Sequence, residues 1–224
     1  IVVFPELCIT GYTCNDLFLQ ELLLEKAKEA LLTIVEETGQ LEALFLVGLP
    51  VDKDGRLYNV AAVLYRGRIL GMIPKKNIPM YAEFYEGRHF TPGEETVTEY
   101  RLGKQEIPFG TNLLFRCEEL PELILGCELC EDLWVAEPPS TSHALMGATV
   151  IANLSASNET VSKDDYRTLL VKASSARLLC GYIYTSAGEG ESTQDLVFGG
   201  HDLIAENGTL LAQSARFTTG ILYT

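Results

Sequence analysis

Short apolar runs separated by turn-forming residues dominate the chain, and they alternate with longer stretches in which apolar positions recur at helical spacing. The runs Ile1 to Phe4, Ala43 to Leu49, Asn59 to Tyr65, Arg68 to Ile73, Asn112 to Cys117, Leu123 to Glu128, Ala148 to Leu154 and Gly181 to Ala187 predict strands. Helical spacing predicts a helix from about Asp16 to Glu37, capped by Asn15 or Asp16 and stopped at Gly39, and another from Asp164 to Leu179. A shorter helix is expected from about Pro139 to Met146.

Several strands are joined by tight turns. Asp52-Lys53-Asp54-Gly55 and Arg66-Gly67 carry hairpin chemistry, and Asn207-Gly208 pairs Val197 to Ala205 with Thr209 to Ala215. Segment 74–111 is rich in Pro, Gly and aromatics with little periodicity, and reads as a long loop covering a site. Helices that alternate with some strands, while other strands connect directly, predict a layered α/β sandwich with mixed sheets.

At 224 residues, 47% hydrophobic and 21% charged, the chain reads as one soluble domain spanning 1–224. No apolar stretch approaches the roughly 20 residues needed to span a bilayer, and no signal peptide is visible. A core-like strand at the first residue, without a Met before it, predicts a fragment of a longer protein. The formal charge of −14 opposes binding to nucleic acid or to anionic membranes, although acidity for solubility alone is common. Six scattered cysteines lack the density of a disulfide scaffold and predict free thiols in a reducing compartment, the cytoplasm. Neither dinucleotide-binding nor P-loop glycine patterns occur, so nucleotide binding by this chain is not expected.

Cys130 is the most informative position. It follows the apolar run Leu123 to Cys127 and precedes Glu131-Asp132-Leu133-Trp134 and a double proline. A thiol on the turn leaving a buried strand is held rigidly within reach of a substrate, as a nucleophile must be, whereas most cysteines are small buried hydrophobes. Cys127 and Cys130 have the Cys-x-x-Cys spacing of redox or zinc sites, but no second pair exists and His89, His143 and His201 stand far apart. No metal is expected, and Cys127 is expected to face the core. A cysteine hydrolase needs a base and an oxyanion stabiliser. With the histidines poorly placed, Glu6 behind the first strand and Lys75 at the start of the long loop are the candidates, each also readable as an ordinary surface charge.

Phe4-Pro5-Glu6, Pro74-Lys75 with Ile78-Pro79, and Cys130-Glu131-Asp132 occur in the order of the Glu-Lys-Cys triad of nitrilase-like carbon-nitrogen hydrolases, which this chain resembles. The likeness is closer to one branch, the glutaminase domains of glutamine-dependent NAD synthetases. It is carried by Thr10-Gly11-Tyr12, Asp16-Leu17-Phe18, Glu83-Phe84-Tyr85-Glu86, Cys130 to Trp134, Pro138-Pro139-Ser140, Ala152 to Ser157 and Ala187 to Thr193. The resemblance implies a nitrilase-like αββα four-layer sandwich, lacking the family's first strand and C-terminal tail and therefore exposing a sheet edge.

It also implies roles. Cys130 would attack the side-chain amide of L-glutamine, with Glu6 as base and proton donor. Lys75 would hold the oxyanion beside backbone N–H groups and favour the thiolate, and Glu83 would act as the second glutamate that positions the amide and the lysine. Tyr81, Glu131, Trp134 and Ser157 would line the glutamine pocket. Lys163 would meet the α-carboxylate at a position often held by arginine, replacing a bidentate pair by a point charge. The domain would need no cofactor of its own. Family members continue into a synthetase domain that uses ATP, Mg and deamido-NAD, receives the ammonia and assembles into homo-oligomers. The alternatives are a free-standing amidase of the same superfamily and an inactive fragment with a structural role.

Overall fold

The computed structural model describes residues 1–224, and no helix in it is long and apolar enough to cross a membrane. Twelve strands form two sheets. The first sheet contains β1 (Val2–Val3), β2 (Phe45–Lys53), β3 (Arg56–Tyr65), β4 (Arg68–Pro74), β5 (Thr98–Leu102) and β6 (Gln105–Phe109), in the order β1-β2-β3-β4-β6-β5. The second contains β7 (Leu114–Arg116), β8 (Ile124–Leu129), β9 (Val150–Ser155), β10 (Gly181–Ser186), β11 (Leu203–Glu206) and β12 (Thr209–Gln213), in the order β12-β11-β10-β9-β8-β7. Three α-helices accompany them, α1 (Glu21–Glu37), α2 (Pro139–Leu145) and α3 (Lys163–Leu178).

The layers follow from strands that are apolar on both faces. Along β3, Tyr58, Val60, Ala62 and Leu64 join Phe45, Val47, Leu49 and Val51 of β2 beneath Leu31 of α1. The alternate residues Ala61 and Val63 face the other sheet and pack with Leu46, Ile73, Leu125, Cys127, Leu129, Ala152 and Leu154. On the far side of the second sheet, Ile151, Tyr182, Tyr184 and Leu203 pack under Val171 of α3. A period of two that buries both faces explains the nearly continuous apolar runs, and the outcome is the expected αββα sandwich with mixed parallel and antiparallel pairing. Cys127 lies in the core between the sheets, as expected.

The turn chemistry holds at the backbone. Asp54-Gly55, Arg66-Gly67 and Asn207-Gly208 all adopt positive φ, the conformation a two-residue hairpin demands. The largest departures from the sequence expectation concern one helix, one strand and one loop. The helix predicted from Asp16 begins at Glu21, behind an irregular 3-10 stretch Tyr12–Leu19 in which Asn15 is left-handed. Asp16 is not its cap, because its carboxylate is engaged by Arg88 Nε and Nη2 at 2.7 and 2.8 Å. The strand predicted from Val197 starts only at Leu203. Segment 74–111 is not loop throughout, since it contains the β5–β6 hairpin, whose inward residues Tyr100, Leu102, Ile107 and Phe109 extend the first core.

Candidate active site

Glu6 follows β1, Lys75 follows β4, Cys130 follows β8 and Ala156 follows β9, so all four project from carboxyl ends of strands, where open α/β sheets place their ligands. The first loop crosses between the sheets, with Glu6 N donating to Ser155 O at 3.2 Å. Its close approach to β2 requires Gly48, because a Cβ there would stand 2.3 Å from the amide nitrogen of Leu7.

Glu6 is fully buried and fully bonded. Its Oε1 accepts from Lys75 Nζ and from Asn59 Nδ2, each at 2.7 Å, and its Oε2 accepts from the Ala156 amide at 2.9 Å. Burial pushes its carboxyl up to about 7, against the opposing pull of Lys75. Lys75 is fully buried too and donates to Glu86 Oε1 and Oε2 at 2.7 and 2.9 Å. Burial alone would lower its pKa, but Glu6 and Glu86 outweigh that and hold the ammonium well above its ordinary value. Tyr12 completes the cluster by donating its hydroxyl to Glu86 Oε1 at 2.7 Å.

Cys130 is 7% exposed and has φ +41°, a left-handed conformation that costs a non-glycine residue on the order of 1 kcal/mol. The backbone leaves β8 extended at Leu129 and reverses at once into a 3-10 turn, Cys130–Leu133, which lifts the thiol off the sheet. Buried Asp132 holds that turn. Its Oδ2 accepts from the Leu129 amide at 3.0 Å, while its Oδ1 accepts from Asn77 N and Nδ2, each at 2.8 Å. One carboxylate thus ties the Cys130 turn to the loop that carries Lys75. Burial raises the Cys130 thiol well above its ordinary value, Glu6 adds to this, and Lys75 and the Ala156 amide only partly offset it. Lys75 thus pulls toward the thiolate, the direction expected of it, while burial and Glu6 pull the other way and prevail. The Ala156 amide that bonds Glu6 also favours the sulfur's charged form.

The glutamate in contact with Lys75 is Glu86 and not Glu83, for which a role in positioning the lysine was expected. Glu83 instead accepts from Asn158 Nδ2, and Asn158 Oδ1 accepts from Lys163 Nζ. Lys163 lies over the rings of Trp134 and Phe84, at 5.1 and 5.5 Å from their centroids. Tyr81 donates to both oxygens of Glu131 at 2.9 Å. Ser157 is buried, its amide donating to Ser186 Oγ at 3.1 Å and its hydroxyl accepting from Arg167 Nη2 at 3.3 Å. Glu131, Trp134 and Lys163 thus gather near Cys130 with Tyr81. Sequence reasoning missed Asn59, Glu86 and Tyr12 as members of the cluster. Glu86 and Tyr12 stood within quoted motifs, but nothing in their spacing revealed which carboxylate turns toward Lys75.

The family model for carbon-nitrogen hydrolase matches residues 1–224. The glutamine-dependent NAD(+) synthetase of Mycobacterium tuberculosis strain H37Rv is 46% identical over 221 residues, covering 99% of this chain and 32% of the relative. The chain therefore spans about a third of the length of the curated relatives it matches. The crystal structure of a glutamine-dependent NAD(+) synthetase from Cytophaga hutchinsonii superposes with a TM-score of 0.87 at 30% identity, covering 99% of this chain and 35% of that one. An amidase from Nesterenkonia sp. shares the fold, with a TM-score of 0.73 at 20% identity over 98% of this chain and 74% of that one. Matched along its whole length by the family's model and built on the same layered sheets, the chain belongs to the carbon-nitrogen hydrolases.

Proposed function

We propose that this chain hydrolyses the side-chain amide of L-glutamine to glutamate and ammonia, and that the ammonia serves a synthetase domain outside the chain that amidates deamido-NAD with ATP. The observation that carries the reading is the buried Glu6–Lys75–Glu86 network beside Cys130, in a chain 46% identical to a glutamine-dependent NAD(+) synthetase. The six free cysteines support a reducing, cytoplasmic setting, and homo-oligomer formation belongs to the same reading.

Glu6 takes the thiol proton as Cys130 Sγ bonds to the amide carbon. An ammonium has three N–H bonds. One of those on Lys75 is directed at Glu6 and one can be shared by the two oxygens of Glu86, which leaves a third for the oxyanion. Collapse expels ammonia with the proton held by Glu6 and leaves a γ-glutamyl thioester. Water then gives Glu6 a proton, adds to the thioester carbon and releases glutamate, and the proton returns to sulfur. A buried carboxyl tuned to about 7 suits both directions of transfer. Lys163, held by Asn158 and two aromatic rings, would receive the α-carboxylate, while Glu131 with Tyr81 would receive the α-amino group.

The test is ammonia and glutamate release from glutamine by the wild type and by Cys130→Ala, alongside small aliphatic amides. Release that depends on Cys130 and favours glutamine supports the reading. Equal turnover of the small amides would replace it with a general amidase, and Cys130-independent release would overturn the assignment of the nucleophile.

A further inference from the structure

The loop that follows β10 reaches the catalytic cluster from outside. Glu191 sends its carboxylate back to the first loop, where Oε1 accepts from the Tyr12 amide at 2.7 Å and Oε2 accepts from the Thr13 amide at 3.0 Å and the Thr13 hydroxyl at 2.6 Å. The Ser192 amide donates in turn to Thr13 Oγ1 at 2.9 Å. Three donors converging on one side chain call for a carboxylate, because an amide in its place offers one acceptor and turns N–H against N–H. Gly11, at φ +87°, lets the chain turn beneath that carboxylate. From Tyr12 the chain of bonds continues inward through its hydroxyl to Glu86, and from Glu86 to Lys75. The Tyr12 ring is also packed, edge-on to Phe198 at 5.7 Å and against two buried clusters, one containing Leu7 and Phe18 and the other Ala156 and Ala187.

We infer that Glu191 is a positioning residue of the catalytic cluster, its carboxylate fixing Tyr12 so that the Tyr12 hydroxyl holds Glu86, and Glu86 holds the Lys75 ammonium in reach of both Glu6 and the oxyanion. Without this support Glu86 keeps Lys75 as its sole donor. Lys75 then moves toward Glu86 and away from Glu6 and the sulfur. The inference deepens the hydrolase reading and rests on it, since it assigns a surface loop to the same reaction. It also makes that loop a place from which a contact outside the site alters the oxyanion lysine.

The test is a double-mutant cycle with Glu191→Gln and Tyr12→Phe in the intact chain, read two ways. In glutamine hydrolysis each single variant should lower kcat by about tenfold while KM stays within about twofold, and the double variant should be no worse than the weaker single. In alkylation of Cys130 by iodoacetamide at pH 7, followed by peptide mass, each single variant should slow labelling by about threefold, again without further loss in the double. The second readout needs no glutamine turnover, so a failure of the glutaminase reading leaves the positioning claim testable. Multiplied losses in the double variant, or Glu191→Gln labelling at the wild-type rate, would overturn the inference. A lowered melting temperature with unchanged kcat and labelling would do so too, by reducing Glu191 to a loop fastener.

Discussion

At the residue scale the account turns on which of several similar groups does the work. Cys130 and Cys127 are both buried, but one sits on a left-handed turn beside Glu6 and the other in the core between the sheets. Cys130→Ala is expected to abolish hydrolysis with the fold intact. Cys127→Ala should keep most activity and cost about 1 kcal/mol in urea unfolding, the loss of one buried atom from a packed core. Glu86 and Glu83 form a second such pair. Since Glu86 bonds Lys75 and Glu83 bonds Asn158, Glu86→Gln should reduce kcat by about a hundredfold, whereas Glu83→Gln should act mainly on KM in steady-state kinetics. Glu6, Lys75 and Cys130 each follow an apolar run, but it is the family resemblance of their motifs that singled them out together. The runs alone left Glu6 and Lys75 readable as surface charges. Glu86 was not legible, because its meeting with Lys75 depends on the path of a loop whose turns leave no periodic trace.

At the scale of elements, two structures that are far apart in sequence are joined by one buried carboxylate. Asp132 caps the Cys130 turn and grips Asn77, so Cys130 and the loop that carries Lys75 share a mount. Asp132→Ala should therefore lower kcat by roughly tenfold to a hundredfold with a smaller change in KM, and should lower the melting temperature, because the Leu129 and Asn77 amides lose their acceptor. Most strands and all three helices could be read from periodicity. Asp16 has capping chemistry, yet Arg88 and His89 claim its carboxylate and the helix starts later. The β5–β6 hairpin was present as alternation, with Tyr100, Leu102, Ile107 and Phe109 inward around Gly103-Lys104. Pro108 and the neighbouring charges disguised it as loop.

At the scale of the whole molecule, the two sheets bring four strand ends from distant parts of the chain to one buried point. The sandwich was legible because both faces of its strands are apolar. The position of the site within it followed from loops leaving carboxyl ends, while its protonation state required the burial that only packing supplies. Glu6 accepts a proton only as carboxylate, and burial places its pKa at about 7. Activity is therefore lost as pH falls through that value: kcat/KM for glutamine should drop about tenfold per unit below pH 7 and flatten above it, in a profile measured with the free enzyme ionisation limiting. An acid limb centred near the ordinary carboxylate range would contradict a buried base.

The central claim is that Cys130 carries the substrate as a thioester. Its most direct test is acid quenching of the chain during glutamine turnover, followed by mass analysis of the peptides. The account predicts one γ-glutamyl group on the peptide containing Cys130, at its sulfur and absent from Cys130→Ala. Ammonia release with no adduct on Cys130, or an adduct on another cysteine, would contradict it.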